Sequence, residues 1–254
     1  MRTPREFSAL ADALRRLADR GEVAQFWLRD DDAIAPTPAL DRLLGLTQRF
    51  AVPVALAVIP AGAVPALSRR LADAPLATPL VHGWAHVNHA PAGEKKQEFG
   101  CHRPSEVAIA ELSHALQRMT SLFGGHLAPV LVPPWNRVDF GLLQHLPSIG
   151  YGAVSVFGKA LSEASLPMIN THVDPMDWRG TGGSRDHVVL AEEFASLLMA
   201  TAKDRAIGIL THHLVHDAGA WQFLEKLFEL TTASNGCRWL SITQLLREHN
   251  GVSE

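Results

Sequence analysis

Residues 30–32 are three consecutive aspartates, in the stretch FWLRDDDAIAPTPAL, directly after an apolar run that reads as a buried strand. Neighbouring carboxylates repel and are costly to desolvate, so such a cluster needs something to offset its charge. Further along, HGWAH sets His82 and His86 four apart, a separation at which two imidazoles can face one ion from a helical turn or a tight loop. Two histidines and one carboxylate make a metal-binding set with positions left open for water and substrate. A divalent cation there would give at least one aspartate a reason to be ionised. Taken singly, each motif has a plainer reading: a solvated strand end, a core histidine, a loop histidine. Their succession after consecutive strands favours the chemical one.

The elements that must position these residues are β-rich runs alternating with helical patterns, which indicates an α/β fold with a largely parallel sheet or barrel. Strand candidates span residues 24–29, 53–59, 79–84, 129–134, 152–157, 168–174 and 206–212, several of them almost continuously apolar, as strands buried on both faces are. Helices are expected over TPALDRLLGLTQRF, with Thr37 as N-cap and Pro38 in the first turn, and over PSEVAIAELSHALQRMTSLFG, ending at Gly124. Others are AEEFASLLMATAKD, a helix capped by Asp217, and SITQLLREHN. Ionisable clusters follow the C-terminal ends of the strands: RDDD, HGWAHVNH, PPWNR, DPMDW and THHLVHD. In parallel α/β folds that end carries the active site, so one pocket can collect them all. The irregular stretch 85–105 is long enough to be functional; Lys95, Lys96 and Glu98 could reach over the site, although a solvated charged loop is the simpler expectation.

A length of 254 residues with 47% hydrophobic and 19% charged content fits one domain over residues 1–254. A net charge of -3 without a basic cluster argues against a nucleic-acid partner. No apolar run reaches membrane-spanning length, and the acid-bearing amphipathic N-terminus reads as neither signal nor transit peptide. Only Cys101 and Cys237 are present, so a reduced, cytoplasmic protein is expected. The oligomeric state is open at this point.

Together the motifs resemble those of the polysaccharide deacetylases, carbohydrate esterase family 4, over residues 24 to 217. The resemblance implies a distorted (β/α) barrel of about seven strands. Its Asp-Asp motif falls on LRDDD, and the distance to TPAL favours Asp30 as general base and Asp31 as metal ligand over the pair Asp31 and Asp32. HGWAH, with Gly83 replacing a hydroxyl residue, makes His82 and His86 the other ligands. DPMDW gives Asp177 as the residue orienting the catalytic histidine and Trp178 as a wall of the acyl pocket; Leu210, Thr211 and His212 match the last motif, with His212 as general acid and His213 as its alternative. The motif that normally reads Arg-x-Pro-aromatic is Val132, Pro133, Pro134, Trp135 here, so its arginine is missing, and Arg137 or Arg29 are the candidates for its place.

The resemblance implies a metal-dependent hydrolase removing an N-acyl group, N-acetyl foremost, from a sugar or related small or oligosaccharide substrate, with Trp135, Trp178, Leu210 and Arg137 in the substrate pocket. Zinc suits the ligand set, with cobalt, nickel or iron as alternatives. Two other readings stay open: a hydrolase of a small non-sugar amide, and a catalytically inactive metal- or carbohydrate-binding protein of the same fold.

Overall fold

The computed structural model describes residues 4–160, 165–200 and 206–249. In chain order its elements are α1 (Ser8–Asp19), β1 (Ala24–Ala33), α2 (Pro38–Phe50), β2 (Val54–Val58), α3 (Pro65–Ala72), β3 (Ala77–His82), α4 (Ser105–Phe123), β4 (Val130–Val132), α5 (Phe140–Leu143), β5 (Ala153–Val154), α6 (His187–Ala200), β6 (Ile207–Thr211), α7 (Ala218–Thr232), β7 (Cys237–Trp239) and α8 (Ile242–His249). All strand pairings are parallel, in the order β5-β4-β3-β2-β1-β6, with β7 pairing only the start of β1. The sheet curls into a half-barrel with helices outside, the distorted (β/α) barrel of about seven strands that was expected.

Strand alternation sorts the core into two compartments. Phe26 and Leu28 of β1, Val54, Leu56 and Val58 of β2, and Ile207 and Ile209 of β6 pack outward against helices. Trp27, Ala55, Ala57, Leu80, Val130, Val132 and Ala153 point inward, where Leu240 and the α8 residues Ile242 and Leu245 join them. Inner positions in β1 are therefore 27, 29 and 31, and outer ones 26, 28 and 30.

Local signals hold where the chemistry is strong. Thr37 accepts from Leu40 N at 3.0 Å with Pro38 opening α2, Gly124 ends α4, and Asp217 accepts from Ala220 N at 2.8 Å to cap α7. The predicted strand over 168–174 takes another form. It crosses from β5 to β6 through isolated bridges, Val154 to Met168, Phe157 to Thr171 and Val173 to Ile209. Asn170 replaces ladder bonds there, accepting from Val156 N and donating to Gly158 O, both at 3.0 Å. Gly208 permits the crossing: a Cβ on it would stand 2.5 Å from Asn170 O and 2.7 Å from Thr171 Cα. The strand expected over 152–157 shortens to Ala153–Val154, β7 was not anticipated, and the predicted end of α6 at 201–204 lies outside the described residues. No helix among the described residues is long and apolar enough to cross a membrane.

Candidate active site

The C-terminal ends of the strands open into one cavity of about 560 Å³. Its lining includes Asp31, Asp32, His82, His86, Asp174 and His212.

Asp32 reaches the cavity by breaking strand parity. The pairing of β1 with β2 shifts register between Asp30 and Ala33, and Asp32 sits in the left-handed region at φ 76°. Its Oδ1 lies 3.1 Å from His82 Nε2 and 3.4 Å from His86 Nε2. These three are the only group of potential metal-ligating side chains found together among the described residues. His82 ends β3 on the inner face, and its Nδ1 meets Val132 O at 2.9 Å, which fixes the ring and turns Nε2 to the cluster. His86 is brought alongside by a tight turn through Gly83 (φ 60°) with His86 itself at φ 57°. The buried Glu98 carboxylate clamps that turn, accepting from Trp84 N at 3.0 Å, Ala85 N at 2.8 Å and Val87 N at 3.4 Å. A side chain at residue 83 would collide with Glu98 and stand 2.6 Å from Pro134, which explains the glycine in HGWAH. Glu98 therefore shapes the site from beneath, while Lys95 and Lys96 of the same loop are exposed.

Electrostatics fit a cation at this point. Burial pushes the Asp32 carboxyl up, but the hydrogen bond and charge of His82, with the charges of His212 and His86, hold it at about 2. Burial pulls His82 down, yet Asp31 and Asp32 outweigh it and raise the imidazole, whereas His86 is lowered by burial and by His82. The three groups thus favour one positive charge held in common, and their two imidazoles and one carboxylate suit a divalent ion.

Beside this cluster Arg29 and Asp31, both essentially inaccessible, form a bidentate pair: Nε to Oδ1 at 2.9 Å and Nη2 to Oδ2 at 3.0 Å. Arg29 also donates to Ser155 Oγ at 2.7 Å and Asn136 Oδ1 at 2.6 Å. Of the two candidates for the missing motif arginine, Arg29 is the one on an aspartate of the run; Arg137 lines the cavity and donates to Lys96 O at 2.9 Å.

The structure places the aspartates one residue along from the arrangement expected for Asp30 and Asp31. Asp30 occupies an outer position of β1, opposite Thr211 in the ladder, and does not line the cavity. Its carboxyl accepts from Thr211 Oγ1 at 2.7 Å and His213 N at 2.9 Å, and contacts His213 Nδ1. Asp31 faces the arginine, and Asp32 takes the place among the histidines that was expected for Asp31. The same alternation separates the two histidines after β6: His212 enters the cavity and His213 is buried with Asp30.

Asp177, expected beside the catalytic histidine, is not among the residues lining the cavity. It sits at an exposed turn, accepting from Gly180 N at 3.1 Å and Thr181 N at 2.9 Å, and those backbone donors keep its carboxyl low. Asp174, three residues earlier, is the acid in the cavity with His212. Burial raises its carboxyl, while the charge of His212 and the hydrogen bond of Trp178 act against the rise. Its Oδ2 accepts from Trp178 Nε1 at 2.7 Å and its Oδ1 from Met176 N at 2.8 Å. His212 Nδ1 is buried without a hydrogen-bond partner. Trp178 stacks edge-on against His212 at 4.7 Å between centroids, and Trp135 lies 4.4 Å from His86. Leu210 lines the cavity as expected, as do Phe157 and Arg179, which sequence reasoning passed over.

No protein-family model and no curated protein matches the sequence. Solved structures do resemble it at low identity. A Mycobacterium smegmatis protein assigned to the polysaccharide deacetylases superposes with TM-score 0.66 at 15% identity, over 91% of this chain and 91% of that one. A family 4 carbohydrate esterase from Streptomyces lividans, in complex with acetate, gives 0.58 at 17%, over 85% and 91%. A family 4 acetyl xylan esterase from Clostridium thermocellum, in complex with a cobalt ion, gives 0.57 at 15%, over 90% and 93%. The half-barrel and the near-complete coverage agree: the chain has the fold of the polysaccharide deacetylases.

Proposed function

We propose that the protein is a metal-dependent hydrolase that removes an N-acyl group, N-acetyl foremost, from a sugar or related small substrate. The observation that carries this reading is the convergence on one cavity of Asp32, His82 and His86 with the Arg29-bound Asp31 and with His212. Asp32, His82 and His86 would hold the ion, with zinc, cobalt, nickel or iron compatible with the donors. When bound, such an ion supplies Lewis-acid polarisation of the acyl carbonyl and lowers the pKa of water.

Asp31 acts as general base, taking a proton from the attacking water while Arg29 fixes its orientation and supplies counter-charge. The water oxygen bonds to the acyl carbon, and the carbon–nitrogen bond then breaks as His212 gives a proton to the leaving amine. Asp174 lines the same cavity as His212. Trp178, Leu210 and Trp135 wall the space for a short acyl chain and exclude water from it.

The test separates Asp31 from Asp32. An Asp31→Asn variant is expected to keep its metal, measured by elemental analysis, and to lose at least about a thousandfold in kcat/KM on an N-acetylated amine, within the range removal of a general base gives. Asp32→Asn should lose both metal and turnover. Full metal content in Asp32→Asn, or near-normal turnover in Asp31→Asn, would overturn the assignment.

A further inference from the structure

The charges in the cavity are committed except at its mouth. Asp31 is taken by Arg29, Asp32 stands with two histidines, and both oxygens of Asp174 are occupied by Trp178 and Met176. Arg137 and Arg179 also line the cavity, and no carboxylate reaches either. Arg137 has one neutral acceptor, Lys96 O, and the Arg179 side chain has no hydrogen-bond or ion-pair partner among the described residues. Arg49, Arg70, Arg103 and Arg185, away from the cavity, each meet a carboxylate at 2.6–2.7 Å.

Arg137 is also held in place by backbone that resists relaxation. The two residues before it, Trp135 and Asn136, are both left-handed, at φ 55° and 57°. Such conformations cost non-glycine residues on the order of 1 kcal/mol or more each and persist only where surroundings enforce them. Here Arg29 holds the Asn136 side chain at 2.6 Å. The turn therefore delivers an aromatic ring to His86 and a guanidinium to the mouth. Trp178 and Phe157, 53% and 43% exposed, offer apolar faces on the same lining.

We propose that Arg137 and Arg179 form an anion subsite, and that the substrate is an N-acylated compound bearing a carboxylate or phosphate group. This rests on the deacylase reading above for the reaction and on the arginines for the charge. Planar guanidinium donors match both anions, and aromatic faces beside them suit an apolar ring or the carbon face of a sugar.

The experiment compares N-acetylglucosamine, its 6-phosphate and N-acetylmuramic acid as neutral, phosphate and carboxylate probes on the metal-loaded protein. At least one anionic probe should exceed the neutral one about tenfold or more in kcat/KM, carried by KM and shrinking at high salt. Whichever does identifies the anion. Arg137→Gln and Arg179→Gln should each raise KM for that probe about tenfold, well beyond any change on the neutral probe. Hydrolysis of all three with equal kcat/KM, or equal losses on charged and neutral probes, would overturn the proposal.

Binding is read apart from turnover, by tryptophan fluorescence of the metal-free protein titrated with glucosamine 6-phosphate, muramic acid and glucosamine. Saturation by an anionic amine that the double variant lacks supports the subsite even if nothing is hydrolysed, in which case the deacylase reading alone fails. Equal Kd in wild type and double variant, or no saturation by either anion, overturns the subsite whatever the turnover.

Discussion

Asp30 and Asp31 are adjacent in sequence and lie on opposite faces of one strand, and the two faces use carboxylates differently. On the inner face Asp31 is held by a guanidinium and borders an open cavity. On the outer face Asp30 is sealed among Thr211 and His213, with no access to solvent. Its three contacts all fall on the residues flanking His212, so one carboxyl pins both sides of the position from which His212 enters the cavity. The inner face performs chemistry in the proposed mechanism; the outer face fixes the backbone that presents it.

The largest expected effect breaks the inner pair. Arg29→Met strands Asp31 in a buried position without counter-charge and should cost about 3–5 kcal/mol of stability in denaturant unfolding. A variant as stable as wild type would show that the pair contributes little on that face.

The next effect belongs to the outer face and depends on pH. Burial holds the His216 imidazole down at about 4 from an ordinary 6.5, despite the attraction of Asp30. Between those values the unfolded chain takes up a proton that the folded chain refuses, so stability is full above pH 6.5 and is lost as pH falls toward 4. The loss is up to about 3 kcal/mol, and His216→Gln should remove that share of the slope in unfolding measured across the window. An unchanged slope would contradict the assignment to His216.

Asp30→Asn should cost about 1.5–3 kcal/mol through weakened hydrogen bonds to a charged group, with metal content unchanged by elemental analysis. Loss of metal would place Asp30 with the inner face after all. The smallest effect is outside both faces: Asp177→Ala should leave both the thermal unfolding midpoint and kcat nearly intact. A hundredfold fall in kcat, on the order of that for losing a general catalyst, would return Asp177 to the mechanism.

Much of this was legible in the sequence. The parallel α/β order, the caps at Thr37 and Asp217, and the gathering of His82, His86, Trp178, Leu210 and His212 at one end of the strands follow from local chemistry and period. The misplaced aspartate was partly legible too. Trp27, Arg29 and Asp31 share one parity, and Phe26, Leu28 and Asp30 the other. That alternation already sets Asp30 apart from the arginine. Asp32 was not legible in this way, because a register shift and a left-handed residue override the period of two, and nothing in DDD announces a bulge. Asp174 was hidden by matching a motif on its second acid, although the first ends the extended segment at the cavity. Glu98 was visible only as one charge in a charged loop; its three backbone partners are fixed by a turn that exists only in the folded chain.

Arg29 and Asp31, two residues apart on one strand, bear on how such a site can evolve. The proposed base and its counter-charge are encoded in a three-residue segment and are assembled as soon as β1 forms. The loop carrying Trp135, Asn136 and Arg137 is joined to that pair by a hydrogen bond from Arg29 to the Asn136 side chain, and its guanidinium at residue 137 lies outside the pair. Reactivity and recognition can then be inherited, and altered, separately.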